Sequence, residues 1–337
     1  MHVVGLDIGG ANLKAANTAG IARSEPFAIW RAPGELAARL NSLLARFPRP
    51  DLLAMTMTAE LADCFATKSE GVAAIIAATV AAADGLPIAV WQTNGEFAKP
   101  DEAASNPRQV AAANWQALAT WAGRLAPQGN GLLVDIGSTT TDIIPLRDGV
   151  PAARGRTDLE RLVNHELLYT GFSRTPLCAV AATVSVRGRP CPVAAELFAT
   201  TLDVYLLLGL IPEDPGDVTT ADGRPAMIAC AHDRIARMVC CDREEIDLDS
   251  ARSLAGAFAA AQQAQIAAAI ESIASRAAVP FESIVVAGSG ARLARKVLCE
   301  IQAARNAHLI SLVDALAPEL AEAACAYAVA VLAAERR

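Results

Sequence analysis

Two short segments of this 337-residue chain carry side chains that make poor core and good phosphate ligands. The first is Asp7-Ile8-Gly9-Gly10-Ala11-Asn12-Leu13-Lys14. Gly9 and Gly10 have no Cβ, so backbone N–H groups can close around the oxygens of an anion. Asn12 adds a side-chain donor and Lys14 a point charge. Asp7 ends an apolar run, where it suits a magnesium ion held through its waters. Alone, the segment fits an ordinary Gly-Gly hairpin with a surface lysine equally well. The second segment, Asp135-Ile136-Gly137-Ser138-Thr139-Thr140-Thr141-Asp142, shifts that balance. Four hydroxyl residues beside a glycine, flanked by two carboxylates, suit phosphate oxygens and metal-bound water. The phosphate ligands expected are Gly9, Gly10, Asn12 and Lys14 with Gly137, Ser138, Thr139, Thr140 and Thr141. Asp7, Asp135 and Asp142 are the expected metal ligands. Replacing Asp135 or Asp142 by alanine should then abolish turnover and leave the thermal melt nearly unchanged.

The elements that must position these residues come in two similar sets. His2–Asp7 is an apolar run closed by a carboxylate, and Asn12–Asn17 can return beside it as a hairpin. After the break at Pro127-Gln128-Gly129-Asn130-Gly131 the theme repeats, with a strand ending at Asp135 and a returning strand over Asp142–Leu146. Such a repeat suggests two related halves facing each other across a cleft. Leu52–Met57 and Ile88–Trp91 read as strands. Gly71–Ala83 reads as a helix closed by Asp84-Gly85, and Asn106–Leu125 as a helix beginning after Pro107. Proline, glycine and arginine are frequent between Gly149 and Pro225, which marks insertions and loops. A long alanine-rich helix over roughly Ser253–Ala277 leads into a buried strand, Ser283–Ala287, then Gly288-Ser289-Gly290 and a helix from Ala291. A strand near His308–Val313 and a helix over Ala315–Ala334 complete an α/β pattern. The expected lobes are residues 1–128 plus 315–337, and residues 129–314 with a loop-rich insertion at about 150–225.

The two carboxylate–glycine turns, followed by Ile284-Val285-Val286-Ala287-Gly288-Ser289-Gly290-Ala291, resemble the motifs of the actin, sugar-kinase and heat-shock chaperone ATPase superfamily in kind and order. The resemblance spans nearly the whole chain. It implies a two-lobed, actin-like (ribonuclease H-like) α/β fold with a cleft between facing lobes, the third motif corresponding to an adenosine site. Fold alone does not settle function. Three segments lie outside the common ATPase pattern: Met55–Lys68, with Met57-Thr58-Ala59-Glu60-Leu61-Ala62-Asp63 at its centre; Ala113-Asn114-Trp115-Gln116; and Tyr169-Thr170-Gly171-Phe172-Ser173-Arg174-Thr175-Pro176. Together they resemble the hydantoinase/oxoprolinase-related branch, and within it the small methanofuran-biosynthesis synthases linked to tetrahydromethanopterin one-carbon transfer.

That resemblance implies a transferase rather than an ATP hydrolase. An aminomethyl-bearing furfuryl diphosphate would be joined to the phenol oxygen of a tyramine or tyrosine derivative, giving an aryl ether and free diphosphate. A clamp for nucleotide phosphates can hold a diphosphate leaving group, with magnesium and backbone amides neutralising charge as the C–O bond breaks. Mg2+ is the cofactor expected. ATP is not expected to be required, and binding of ATP or ADP stays open. A phenol has a pKa of about 10, so a base would help the attack. Glu60, Asp63 and His165 are the candidates, and Lys68 and Arg174 are the candidate cations of the reaction. Each has a plainer reading: Glu60 and Asp63 as helix-start carboxylates, His165 on a helix face, Lys68 in solvent. Arg174 in a polar loop suits bidentate phosphate binding. Asn114 and Trp115 could hold the acceptor. Gly288, Ser289 and Gly290 could bind adenosine, contact the furan end, or persist as a relic.

Composition narrows the alternatives. A net charge of −7 disfavours nucleic acid or an acidic membrane as partner. Aromatics make up only 4% of the residues, so the core must be aliphatic and alanine-rich. The most apolar stretch, Ala315–Ala334, carries Pro318, Glu319 and Glu322, and reads as a buried helix. The eight cysteines form no CxxC pair, which argues against zinc. The chain opens directly on a strand, leaving no room for a signal peptide, and a cytoplasmic protein is expected, with a homodimer allowed. Two other readings stay open. One is an ATP-dependent small-molecule kinase or oxoprolinase-like amidohydrolase of the same fold, and the other a non-catalytic nucleotide-binding or filament-forming protein. A kinase should show a catalytic aspartate in its own context, and oxoprolinase-type enzymes generally need a longer chain.

Overall fold

The computed structural model describes residues 1–277 and 279–336. Strands β1 (Val3–Ile8), β2 (Asn12–Asn17), β3 (Ala22–Pro26), β4 (Leu52–Met57), β5 (Ile88–Trp91) and β6 (Phe97–Ala98) form the first sheet, in the order β3-β2-β1-β4-β5-β6. Its helices are α1 (Leu36–Leu44), α2 (Lys68–Ala82), α3 (Pro100–Ser105), α4 (Pro107–Val110) and α5 (Asn114–Ala122). The chain then starts again, with β7 (Asn130–Ile136), β8 (Thr141–Arg147), β9 (Val150–Pro151), α6 (Asp158–Val163), β10 (Leu167–Leu168), α7 (Leu177–Val180) and the hairpin β11 (Thr183–Val186) and β12 (Arg189–Pro192). Helices α8 (Thr201–Leu207), α9 (Ile228–Arg237) and α10 (Leu248–Ala277) follow. After them come β13 (Ser283–Ala287), α11 (Ala291–Glu300), β14 (His308–Ser311), α12 (Leu312–Ala315), α13 (Pro318–Glu322) and α14 (Ala324–Glu335). The second sheet runs β10-β8-β7-β13-β14.

The two sheets repeat one design. In each, a central strand pairs antiparallel with the strand that follows it and parallel with a later one: β1 with β2 and β4, β7 with β8 and β13. A central parallel strand is covered on both faces, which is why Val3–Ile8 and Asn130–Ile136 are buried almost throughout. Both central strands carry a carboxylate at their last turn, so the ends of the two sheets meet at the cleft.

Most strand expectations agree with the structure to within a residue or two, and the helices differ where the chain passes the cleft. The helix expected over Asn106–Leu125 is two, α4 and α5, separated at Ala112, whose φ of 48° lies outside the helical region. The helix expected over Ala315–Ala334 is α12, α13 and α14, because Pro318 starts α13 and cannot continue α12. Only α14 is the buried helix anticipated. It lies on the first sheet, where a Cβ on Gly5 of β1 would collide with the Ala326 carbonyl, so close strand–helix contact requires glycine there. Helix α10 extends five residues earlier than expected and presents Leu254, Phe258, Ile266, Ile270 and Ile273 to the second core at helical spacing. On the same face buried Gln262 accepts from Tyr205 (2.6 Å) and donates to Thr170 Oγ1 and the Gly171 carbonyl (2.8 Å each). That network holds the 170–174 segment against the second turn. No helix among the described residues is long and apolar enough to cross a membrane.

Candidate active site

Each central hairpin closes with the same hydrogen bond. Gly9 N–H donates to the Asn12 carbonyl at 3.0 Å, and Gly137 N–H to the Thr140 carbonyl at 2.9 Å. Strand register then places Lys14 opposite Asp7 and Asp142 opposite Asp135. Equivalent positions thus carry a cation in one hairpin and an anion in the other. Both turns open into one cleft of about 1370 Å³. Gly9, Gly10, Asn12, Lys14 and Asp7 line it from the first sheet, and Gly137, Ser138, Thr139, Thr140, Asp135 and Asp142 from the second.

Thr141 is not a cleft residue. It is fully buried, and its Oγ1 donates to the Thr170 carbonyl at 2.7 Å, so it braces the segment behind the turn. From the third motif Gly288 and Ser289 reach the cleft, while Gly290 packs on Ile136 behind it. Gly288 has φ 80°, and any Cβ there would overlap the Ile136 carbonyl and the Asp135 carboxylate. The glycine lets this turn rest directly against the end of β7.

The carboxylates differ in their partners. Asp142 is ion-paired with Arg161, a guanidinium only 2% exposed. The same guanidinium stacks over the Trp115 ring at 4.5 Å, within cation–π range. Burial raises the Asp142 carboxyl while the Arg161 charge opposes that rise. Asp142 thus has an ion-pair partner that Asp7 and Asp135 lack among the described residues, while its charge still acts on both. Asp7 and Asp135 are less well compensated. Burial pushes Asp7 up to about 6, with Lys14 opposing and Asp142 adding to the rise. Burial pushes Asp135 up to about 7, with Asp142 and Asp7 adding and Lys14 opposing. Asp7 Oδ1 is buried without a hydrogen-bond partner among the described residues. Lys14 Nζ donates to the Glu322 carbonyl at 2.7 Å, which fixes its charge beside both.

A divalent cation fits this arrangement: two desolvated carboxylates, one with an orphaned oxygen, face the same cleft. No cluster of three or more His, Cys, Asp or Glu side chains able to hold a metal by itself occurs among the described residues. Asp7 and Asp135 would thus hold magnesium through water, with the phosphate oxygens of a ligand completing its shell. The Arg161 pairing also changes the expectation for Asp142→Ala. That substitution leaves the buried guanidinium with Asp158 alone, 3.6 Å away, a loss of up to about 3–5 kcal/mol, so a thermal melt should show clear destabilisation. An unchanged melt would mean that Arg161 finds another partner.

Glu60 sits on the same cleft, 1% exposed, with Oε2 unpartnered among the described residues. Burial raises its carboxyl to about 7, against the N–H groups of Glu60 and Ala112 and the Lys68 charge, with Asp158 adding to the rise. Its backbone is seated by Gly71 of α2, where a Cβ would overlap the Glu60 carbonyl. Asp63 lines the cleft but keeps contact with solvent. His165 lies just past the end of α6 with φ 57° and does not reach the cleft, so it is no candidate base. Lys68 is also off the cleft wall, its ammonium held by Asp158 at 3.1 Å.

Arg174 reaches the cleft. Its N–H donates to the Ser138 carbonyl at 2.9 Å, and its guanidinium lies 5.1 Å over the Trp30 ring of the other sheet's lobe. Asn114 lines the cleft with Nδ2 3.9 Å from Cys325 Sγ, whereas Trp115 is core. Four participants escaped the sequence reading: Arg161, Asp158, Trp30 and Cys325. Cys325 is buried near Asp7 and Asp135, and burial first, then those two carboxylates, holds its thiol protonated. Only the helix-start pattern Thr157-Asp158-Leu159-Glu160, a capping box, signals that Asp158 and Arg161 share a helical face.

A family model for hydantoinase/oxoprolinase matches residues 51–336. The (4-{4-[2-(gamma-L-glutamylamino)ethyl]phenoxymethyl}furan-2-yl)methanamine synthase of Methanocaldococcus jannaschii is 34% identical over 334 residues, 98% of this chain and 97% of that protein. The protein of the same name from Methanococcus vannielii is 33% identical over 203 residues, 60% of this chain and 90% of that one. A nucleotide-free acetone carboxylase structure superposes with a TM-score of 0.51 at 10% identity, covering 86% of this chain and 66% of that one, a likeness of fold. The chain belongs to the hydantoinase/oxoprolinase family, in which it is similar over its length to an archaeal furan-methanamine synthase.

Proposed function

We propose that this chain is a transferase of methanofuran-type cofactor biosynthesis. It condenses an aminomethylfuran-methyl diphosphate with the phenol of a tyramine or tyrosine derivative, forming an aryl ether and releasing diphosphate. The observation that carries this reading is one cleft holding both glycine turns and a buried carboxylate, Glu60, whose Oε2 has no hydrogen-bond partner among the described residues. The names of the two archaeal relatives support it, since the compound they make is an aryl furfuryl ether.

In this reading the Gly9-Gly10 and Gly137–Thr140 turns bind the diphosphate through backbone amides and hydroxyls, and Lys14 offsets its charge. Asp7 and Asp135 would hold a magnesium ion, which when bound would add to the neutralisation of the leaving group. As the furfuryl C–O bond breaks, the carbon gains positive character that the furan oxygen shares. The phenol oxygen attacks that carbon, and its proton passes to Glu60. Glu60 is suited to this because a carboxylate with a pKa near 7 is a stronger base than a solvated one. The lobes are residues 1–128 with 315–337, and 129–314, a division supported by membership of the two sheets.

The test is direct. Purified protein is incubated with magnesium, a furfuryl diphosphate and either tyramine or γ-glutamyltyramine, then assayed by mass spectrometry and for released diphosphate. Ether formed without ATP is expected. ATP consumption that depends on a small-molecule acceptor, with no ether, would place the chain among kinases or amidohydrolases of the same fold instead.

A further inference from the structure

Glu60 and the second anion-binding turn belong to different lobes, and one unbroken line of contacts joins them. In the first lobe, the opening turn of α2 carries both Gly71, which lies on the Glu60 backbone, and Lys68, three residues earlier. In the second lobe, the opening turn of α6 carries Asp158 and, three residues later, Arg161, which pairs with Asp142. Residues at that spacing lie on one helix face, and Arg161 Nη1 lies 3.6 Å from Asp158 Oδ1. Lys68 Nζ and Asp158 Oδ2 close the line across the cleft at 3.1 Å. Each lobe contributes one helix turn, with one end on a reacting group's support and the other on the opposite lobe.

As a stability device the pair is weak. The Lys68 side chain is 39% exposed and that of Asp158 24%. Ion pairs in such positions add little to stability. A contact of that strength can still choose between two nearby placements of a loop. We infer that the Lys68–Asp158 pair is a positioning latch that sets the Glu60 loop against the anion-binding hairpin of the other lobe. This rests on the reading of Glu60 as the base that receives the phenol proton. Lys68 lies off the cleft wall and Asp158 lines it, and the contacts of the pair lead to Glu60 and Asp142.

The latch has a signature that a merely structural pair lacks. Two charged side chains act on Glu60 with opposite sign: Lys68 of α2 favours its ionised form and Asp158 of α6 disfavours it. Burial is the largest influence and disfavours ionisation, while the N–H groups of Glu60 and of Ala112, in the turn between α4 and α5, favour it. Removing Lys68 should therefore raise the acid limb of the kcat/KM profile, and removing Asp158 should lower it.

The experiment measures kcat and the pH profile of kcat/KM for full-length Lys68→Met, Asp158→Asn and the double variant, with magnesium, a furfuryl diphosphate and γ-glutamyltyramine. Each single variant is expected to lose about threefold to fivefold in kcat, the most a pair of this strength can impose, with melting close to the parent. Their acid limbs move in opposite directions, and the double variant is no slower than the slower single one. The proposal is overturned if either single variant keeps kcat within about twofold of the parent, or if the two limbs move together or stay in place. Glu60→Gln in the same assay separates the two ideas. If it remains active, the base assignment fails and the latch with it. If it is inactive while the pair variants behave as the parent, the latch alone fails.

Discussion

Glu60→Gln is expected to lower kcat by about 10²–10⁴-fold, the range for losing a general base, with KM for the diphosphate little changed. Glutamine keeps the shape and the polar contacts and removes only the ability to take a proton. Glu60 is set apart from Asp63 by burial, since Asp63 keeps contact with solvent on the same loop. In the parent enzyme kcat/KM should rise with pH through about 7, as burial holds the Glu60 proton to that point. The sign for stability is opposite. The folded-state pKa lies above the unfolded value, so folding takes up a proton. The resulting contribution is full at low pH and is lost as pH rises through about 7. Above that pH the glutamine variant should melt at or above the parent. A variant that is both inactive and less stable at pH 8 would mark Glu60 as structural.

Asp135→Asn is expected to abolish ether formation and, unlike most substitutions at a buried site, to stabilise the metal-free protein at alkaline pH. Asp135 is held at about 7 and Asp7 at about 6, both by burial first. Each raised carboxyl favours folding below its unfolded value and loses that contribution as pH climbs through its folded one. Near pH 8 the ionised Asp135, beside Asp142 and Asp7, costs the fold on the order of 2–4 kcal/mol. An amide removes that repulsion. Magnesium is expected to reverse the ranking, because an ion that binds only the folded state stabilises it by mass action. Thermal melts at pH 8, with and without magnesium, decide the matter. The parent should gain several degrees from the ion and the variant little. A variant that melts lower without metal, or that turns over within about tenfold of the parent, would overturn the assignment of Asp135 to the ion.

How much of this was legible in the sequence depends on how local each feature is. The two glycine turns that line the cleft were readable because each lies within eight consecutive residues and the pattern occurs twice. Glu60 was readable as a candidate for the same reason, though its burial was not, since that depends on Gly71 approaching from α2. Arg161 was missed because its partner, Asp142, comes from another element, and strand β8 must first bring Asp142 opposite Asp135. Asp142 and Thr141 were assigned by analogy within the motif, yet the first is taken by Arg161 and the second turns its hydroxyl to Thr170. The single helix expected over Asn106–Leu125 followed from composition. It fails at Ala112, where the backbone adopts a conformation that alanine seldom takes and that places the residue on the cleft wall.

The seat of α14 on Gly5 has a consequence for how the chain is made. The first sheet is complete in sequence by Ala98, but one of its faces is covered by residues 324–335. During synthesis the opening strands must therefore wait, with β1 and β4 open to solvent, until more than three hundred residues have emerged. Contacts this distant in sequence slow folding and leave apolar strands exposed to aggregation meanwhile. The second sheet waits almost as long, since its strands β13 and β14 lie at 283–311 and one of its faces packs on Leu312, Ala324 and Cys325. Both sheets therefore close only as the last part of the chain arrives.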